Sequence, residues 1–351
     1  MEKSIKTRKE ILLIRANNSK FGGAEVYLSR LASELCKQKI NHRIIRSPFP
    51  AFLPSWLRSL LFNAWLKFYK DDQFYFSLER ITCPDVYRAG DGVHKVFLSI
   101  EKKSKFNLLH PVYLYLEKRC FQKAKLIIVN SKMVKNQIIK EYGIDLSKII
   151  LIRNGIPNKK VNFENSYVKL TKEFSLNKKS KVILYVGSGF RRKGVEQFLK
   201  IIAKLTTKNF TAFVVGKEKS IHLYQDLAKK LQLENKVFFT GPREDVDDFY
   251  TISDIFLFPT HYEPFSNVIL EAMQFENAVF TTKSNGASEI LDNDFIMKTP
   301  DDFSISLRID QLLLDNDKLL EIKRMNRLKS KQFSIEKNLN ETITAIDEII
   351  N

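Results

Sequence analysis

The residues most able to do chemistry stand in one block, His261-Tyr-Glu263-Pro-Phe265-Ser266-Asn267-Val268-Ile-Leu-Glu271. Two carboxylates separated by seven residues follow the apolar run DIFLFPT (254–260), and the second falls inside an opening helix. The first turn of a helix carries unsatisfied backbone N–H groups, so the amides of Ser266 to Val268 are candidates to meet an anion. Glu271 lies about two turns in, on the face that Glu263 approaches from the preceding loop. A capped amphipathic helix with a solvated glutamate is the ordinary alternative. Glu263-Pro-Phe placed directly after a strand end argues against it.

Three further groupings share that placement. Gly187-Ser-Gly189-Phe-Arg191-Arg192-Lys193-Gly194 follows the run KVILYVGS. Glycines let backbone approach a ligand, and adjacent Arg and Lys suit a diphosphate. In Lys20-Phe21-Gly22-Gly23-Ala24-Glu25 a glycine pair opens a helix, with the spacing of neither a dinucleotide fingerprint nor an ATP-binding loop. In Asp85-Val-Tyr-Arg88-Ala-Gly90-Asp91-Gly92-Val-His94 an acid and a histidine three residues apart suit acid/base or substrate-orienting work. Of the five histidines only His94 reads this way; His42, His110, His222 and His261 read as structural.

The elements that must position these residues repeat as strand, glycine turn and helix. ILLIRA (11–16), LIIVNS (126–131) and IILIRNG (149–155) read as buried strands, with a helix between whose buried face carries Val26, Leu28, Leu31, Ala32 and Leu35. KVILYVGS (181–188), TAFVVG (211–216), KVFFTG (236–241) and DIFLFPT restart the pattern. Continuous Val/Ile/Leu/Phe runs ending in Gly, Ser or Thr are the signature of parallel strands buried on both faces. We therefore expect an α/β protein of two doubly wound domains: residues 1–160, a polar linker 161–179, residues 180–334, and a final helix 335–351 packing back on the first domain. Ligands bind at the carboxyl ends of such strands, which places the expected site in a central cleft that both domains face.

A length of 351 residues suits two cores, and 44% apolar content excludes a disordered chain. Cys36, Cys83 and Cys120 are odd in number and far apart, which argues against a disulfide framework or zinc site and suits a reducing compartment. The short run 11–14 reads as a strand rather than a signal peptide, and the stretch 52–69 is broken by Pro54, Arg58 and Lys67, too polar for a membrane span. A cytoplasmic protein is expected. Residues 1–165 carry 31 Lys and Arg against 14 Asp and Glu, whereas the remainder carries 27 against 26. So one-sided a field points to an anionic surface.

With these groupings in hand, the chain resembles glycosyltransferase family 4, the retaining enzymes of GT-B fold, and most of all its lipopolysaccharide core glucosyltransferase I branch. The resemblance rests on Glu263/Glu271, the Arg-Lys-Gly turn, the Gly-Gly-Ala loop, VYRAGDGVH and IILIRNGI. It implies that Arg192 and Lys193 hold a donor diphosphate and Glu263 the transferred sugar, with the amides of Phe265, Ser266 and Asn267 helping. Glu271 would bind the ribose, Arg243 the base, Gly22, Gly23 and Ala24 would approach the phosphates, and Asp91 and His94 would face sugar and acceptor. It implies UDP-glucose as donor, with UDP-galactose, GDP-mannose and N-acetylhexosamine donors still open because Ser266-Asn267-Val268 replaces the family's usual Gly-Leu or Gly-Ile. It also implies a phosphorylated glycolipid or oligosaccharide acceptor at the cytoplasmic face of the inner membrane. No metal and no cofactor is expected: Asp245-Val-Asp247-Asp248 contains Asp-x-Asp, but its place reads as the acidic start of a helix.

Two other function classes are weaker. A nucleotide-sugar isomerase or hydrolase on the same fold has no need of a basic first domain. A nucleic-acid binder fits the pI of about 9.6, yet no aromatic-interleaved basic strand, helix-turn-helix or finger pattern accompanies it. The basic charge collects instead in residues 94–125, eight Lys and Arg with Phe97, Phe106, Tyr113 and other apolar residues between them. That mixture suits shallow insertion at an anionic inner-leaflet surface, and equally a solvated helix pair over a core.

Overall fold

The structure, a computed structural model, describes residues 10–17, 23–101, 107–160, 162–177 and 179–350. It divides into two units, residues 1–153 with 336–351 and residues 154–335.

In the first unit six parallel strands form one sheet: β1 (Ile11–Ile14), β2 (His42–Ile45), β3 (Phe74–Ser77), β4 (Val86–Arg88), β5 (Leu126–Val129) and β6 (Ile149–Leu151), in the order β2-β1-β3-β4-β5-β6. Helices cover both faces of such a sheet, which is why ILLI and FYFS are buried at every position. The order reverses between β1 and β3, so the loops leaving β1, β3 and β4 emerge side by side at the carboxyl end, where ligands collect. The helix Gly23–Lys37 buries Tyr27, Leu28, Leu31 and Leu35. Val26, expected on that face, is 39% exposed. Tyr27 takes its place because its ring lies 3.6 Å from the Arg88 guanidinium and its hydroxyl hydrogen-bonds Thr342 of the final helix, Ile335–Ile350. The stretch 52–69 folds as a helix, Ser55–Phe68, with Phe62 and Leu66 buried. Among the described residues no helix is long and apolar enough to cross a membrane.

The second unit holds β7 (Lys181–Val186), β8 (Phe210–Val215), β9 (Val237–Gly241), β10 (Ile255–Phe258), β11 (Ala278–Thr282) and β12 (Ile296–Met297), all parallel, in the order β12-β11-β10-β7-β8-β9. Counted within the unit this is the doubly wound 3-2-1-4-5-6 arrangement, and the order reverses between β7 and β10.

The expected linker is corrected here. Residues 163–174 form a helix, Phe163–Phe174, started by Asn162, whose side chain accepts from the Asn165 amide. Its lysines hide an apolar stripe: Leu170 is buried, and Phe174 packs edge-on to Phe213, Phe238 and Phe249. The second unit thus starts at Asn154 rather than at residue 180.

Candidate functional site

In the second unit the strand reversal brings together three of the residues expected to work together. Arg192 and Lys193 close the short helix Phe190–Lys193 after β7, and Glu263 follows β10. Arg192 Nη1 donates to Glu263 Oε2 at 2.7 Å and to the Tyr262 carbonyl at 2.7 Å. Lys193 Nζ stands 3.8 Å from the same carboxylate and 5.6 Å from the centre of the Phe258 ring. All three side chains are mostly buried, at 28%, 18% and 17% exposure, so their charges act in a medium that screens poorly.

Tight local geometry holds this cluster. The short helix starts after Gly189 (φ +77°) and ends at Gly194 (φ +79°), left-handed conformations that favour glycine. At Gly194 a side chain would also collide with the Pro259 carbonyl, whereas the space beside Gly189 is open. The Glu218 carboxylate accepts from the Phe190 amide at 2.9 Å, and this contact, with the Ser220 amide, holds its pKa down against burial. Glu263 is fixed through its backbone, its amide donating to the Ser284 carbonyl and its carbonyl accepting from the Gly286 amide.

Glu271 sits in the helix Asn267–Gln274 and accepts at 3.2 Å from the hydroxyl of Tyr250, a wholly buried tyrosine that burial and this carboxylate keep protonated. One expectation is corrected in the same segment. The Ser266 amide is not open to an anion, because it donates to Asn285 Oδ1 at 3.3 Å; that buried amide side chain also accepts from Ala287 and donates to Thr281. The Phe265 side chain is core, its carbonyl accepting from Asn154, whose amide also donates to Asn267 Oδ1 at 2.8 Å. Val268 is half-buried against the same core.

Arg243 is corrected too. Its guanidinium is spent on Asp245, at 2.8 and 2.9 Å, and on Glu173, at 2.7 and 2.8 Å, which raises its pKa and ties the helix Phe163–Phe174 to the turn after β9. The Asp-x-Asp carboxylates pair with cations: Asp245 with Arg243 and Lys169, Asp248 with Lys169, Asp247 with Lys159. Asp245 and Asp248 meet at the Lys169 ammonium, and among the described residues no group of three or more His, Cys, Asp or Glu side chains is placed to hold a metal ion.

In the first unit Asp91 and His94 follow β4 but have separate partners. Asp91 lies 3.6 Å from Arg15 Nη1, which also holds Glu79 at 3.3 Å, while Arg15 Nε and Nη2 donate to Glu25 at 3.1 and 2.9 Å. Arg15, Glu79 and Asp91 thus leave β1, β3 and β4 at the strand reversal. Burial pushes the Glu79 carboxyl up, Arg15 opposing and Asp91 reinforcing the shift. His94 Nε2 is 3.2 Å from Nδ1 of His110, a residue read as structural, and the His94 ring packs on Phe97 and Tyr113. Burial, with Arg80 and His110 adding to it and Glu117 opposing, pushes His94 down to about 4. An imidazole of so low basicity is a weak proton acceptor near neutral pH. Gly23 and Ala24 open their helix, and Gly22 lies outside the described residues.

Sequence reasoning missed Arg15, Glu79, Tyr250, Asn285 and the Arg80–Glu117 pair, which only the packing connects. In the basic stretch Phe97 and Tyr113 pack on the His94 ring and are half-buried. Phe106 lies outside the described residues, and the exposed apolar side chains are Ile100, Leu108 and Tyr115.

Residues 168–331 match the family model for glycosyl transferases group 1, and residues 91–160 match that for glycosyltransferase family 4. Among curated proteins the chain is 28% identical over 209 residues to lipopolysaccharide glucosyltransferase WaaG of Escherichia coli (strain K12), covering 56% of this chain and 55% of that one. The chain spans about half the length of the curated relatives it matches. The crystal structure of WaaG, a glycosyltransferase involved in lipopolysaccharide biosynthesis, superimposes with a TM-score of 0.81 at 20% identity, over 97% of this chain and 99% of that one. Anabaena Alr3699/HepE in complex with UDP and glucose does so with a TM-score of 0.74 at 19% identity, over 97% and 100%. Residues 91–160 thus belong with glycosyltransferase family 4 and residues 168–331 with the glycosyl transferases of group 1, in a chain whose two α/β units share the GT-B fold of WaaG.

Proposed function

We propose that this chain is a retaining hexosyltransferase that moves glucose from UDP-glucose to a phosphorylated glycolipid or oligosaccharide of lipopolysaccharide-core type, at the cytoplasmic face of the membrane. The observation that carries the reading is the cluster of Arg192, Lys193 and Glu263 at the strand reversal of the second unit, with Glu271 anchored one helix away. The similarity to a lipopolysaccharide glucosyltransferase and to a protein in complex with UDP and glucose supports the donor and acceptor class.

In this reading a diphosphate competes with Glu263 for Arg192, whose Nη1 alone makes the contacts to Glu263 and Tyr262. Arg192 and Lys193 then take up the charge that develops as the bond between the anomeric carbon and the diphosphate breaks, its electron pair leaving on phosphate oxygen. The acceptor oxygen bonds to the anomeric carbon on the same face, and its proton passes to the departing phosphate. Glu263 holds the sugar and Glu271 the ribose. Asp91 and His94 orient the acceptor. The two cations supply what a divalent metal otherwise would, so turnover should continue in excess chelator; loss of activity restored by manganese would return the Asp245/Asp247 reading.

A thermal-shift screen with each nucleotide sugar identifies the donor, UDP-glucose giving the largest shift. Glu271→Ala removes hydrogen bonds to a charged group, each worth about 1.5–3 kcal/mol, so calorimetry should show UDP affinity falling ten- to hundredfold with the fold intact. Unchanged UDP affinity would end the Glu271 assignment.

A further inference from the structure

One carboxylate in the first unit is wholly enclosed and has no part in the roles above. Glu117, in the helix Leu109–Lys123, has 0% exposure. It accepts from Arg80 Nε at 2.9 Å, from the Tyr142 hydroxyl at 2.6 Å, and from the backbone amides of His94 at 2.6 Å and Lys95 at 3.2 Å. Those amides open the helix His94–Glu101, whose first N–H groups have no partner within the helix. Arg80 in turn donates through Nη2 to the Gly92 carbonyl at 3.3 Å. Residues 91–94, at the carboxyl end of β4, are thus gripped on their carbonyl side by the cation and on their amide side by the anion of one buried pair.

We propose that Glu117, acting with Arg80, is the positioning residue for the loop that presents Asp91 and His94 to the acceptor. The inference rests on the acceptor role given to that loop above. A buried ion pair adds little net stability compared with apolar residues of similar volume, so its contribution here is to specify one loop conformation. Two backbone amides and one carbonyl, three contacts within four residues, leave the loop little freedom in direction.

Removing Glu117 alone strands the buried Arg80 charge and can unfold the unit, so the test uses the double variant Arg80→Leu/Glu117→Leu in the full-length chain. The double variant should stay folded but melt below the parent, because the Tyr142 hydroxyl and the amides of His94 and Lys95 lose their acceptor. In hydrogen exchange the amides of His94 and Lys95 should lose protection at least tenfold, with strands β7 to β10 unchanged. With UDP-glucose as donor and a membrane glycolipid extract as acceptor, kcat/KM for the acceptor should fall at least tenfold while UDP affinity stays the same. Wild-type acceptor kinetics in the double variant, beside a tenfold loss in Asp91→Asn, would overturn the positioning role and leave the reading of the site standing. If Asp91→Asn and His94→Ala also keep wild-type acceptor kinetics, the acceptor role of the loop fails, and the inference with it. Glu117→Asp, which keeps the charge beside Arg80, should retain more of the acceptor kinetics than the double variant does.

Discussion

Arg192 and Glu263 neutralise each other at 2.7 Å, and that pairing explains how two opposite charges tolerate a mostly buried position. His94 tolerates burial differently, by staying uncharged. Its ring is held at about 4 against 6.5 for a free imidazole, since burial and Arg80 disfavour its cation more than Glu117 favours it. As pH falls below about 6.5 the unfolded chain takes up the proton and the folded chain does not. This contribution to stability is therefore complete above about pH 6.5 and is lost on the way down to about pH 4. Melting temperature should drop across that window, and His94→Asn, which cannot titrate, should show a shallower slope over it. Equal slopes for the two proteins would refute the assignment. His94 was legible as chemical from its spacing to Asp91; His110 was not, because sixteen residues separate it from His94 and only the fold joins them.

At the scale of elements, the turn from β7 into the short helix Phe190–Lys193 sets the direction of two cations with four residues. Its two bounding glycines test what the turn needs. Gly189→Ala meets open space and carries only the left-handed penalty, about 1–2 kcal/mol. Gly194→Ala carries the same penalty and drives its methyl against the Pro259 carbonyl backbone, so it should cost clearly more and should weaken UDP binding as Arg192 and Lys193 shift. Equal melting temperatures for the two variants would show that the Pro259 contact does not hold the turn. Strands ILLI and LIIV were legible because parallel strands buried on both faces read as continuous apolar runs. HRII and the three-residue VYR were not, since they carry Arg and are too short for a pattern to emerge. The helix Phe163–Phe174 passed for a linker because its apolar residues are interleaved with charged and polar ones, so the stripe that anchors it through Leu170 and Phe174 does not stand out.

For the whole molecule the outstanding feature is charge. The first unit, with its returning final helix, carries 30 Lys and Arg against 17 Asp and Glu, and the second 28 against 23. That asymmetry remains after the boundary is moved. Glu101 and Glu117 are both buried, so the acids of the 94–125 stretch do little to offset its lysines at the surface. Each basic residue near an anionic membrane contributes about 1 kcal/mol, decaying over a Debye length of about 8 Å. Vesicles containing anionic lipid should sediment the protein at low salt, zwitterionic vesicles should not, and binding should fall as salt rises. Replacing Lys118, Arg119 and Lys123 by Ser should weaken it while sparing UDP affinity. A protein that stays in the supernatant with anionic vesicles would assign this charge to a soluble phosphorylated acceptor instead.

By itself the sequence determined what is local. Apolar runs specify the buried parallel strands, glycines mark the turns that need left-handed backbone, and the two glutamates are recognisable by a spacing that one loop and one helix impose. The excess of lysine is likewise a sum that no folding alters. Only the tertiary structure decided which polar groups are already spent. Arg243 is tied to Glu173 and Asp245, the Ser266 amide to Asn285, and Tyr250 to Glu271. It also decided which distant residues converge, as Arg15, Glu79 and Asp91 do at the reversal between β1 and β3 and Arg80 and Glu117 do around one loop. The physical reason is that a buried polar group must find a partner wherever the packed chain supplies one, and nothing in the neighbouring sequence says where that is.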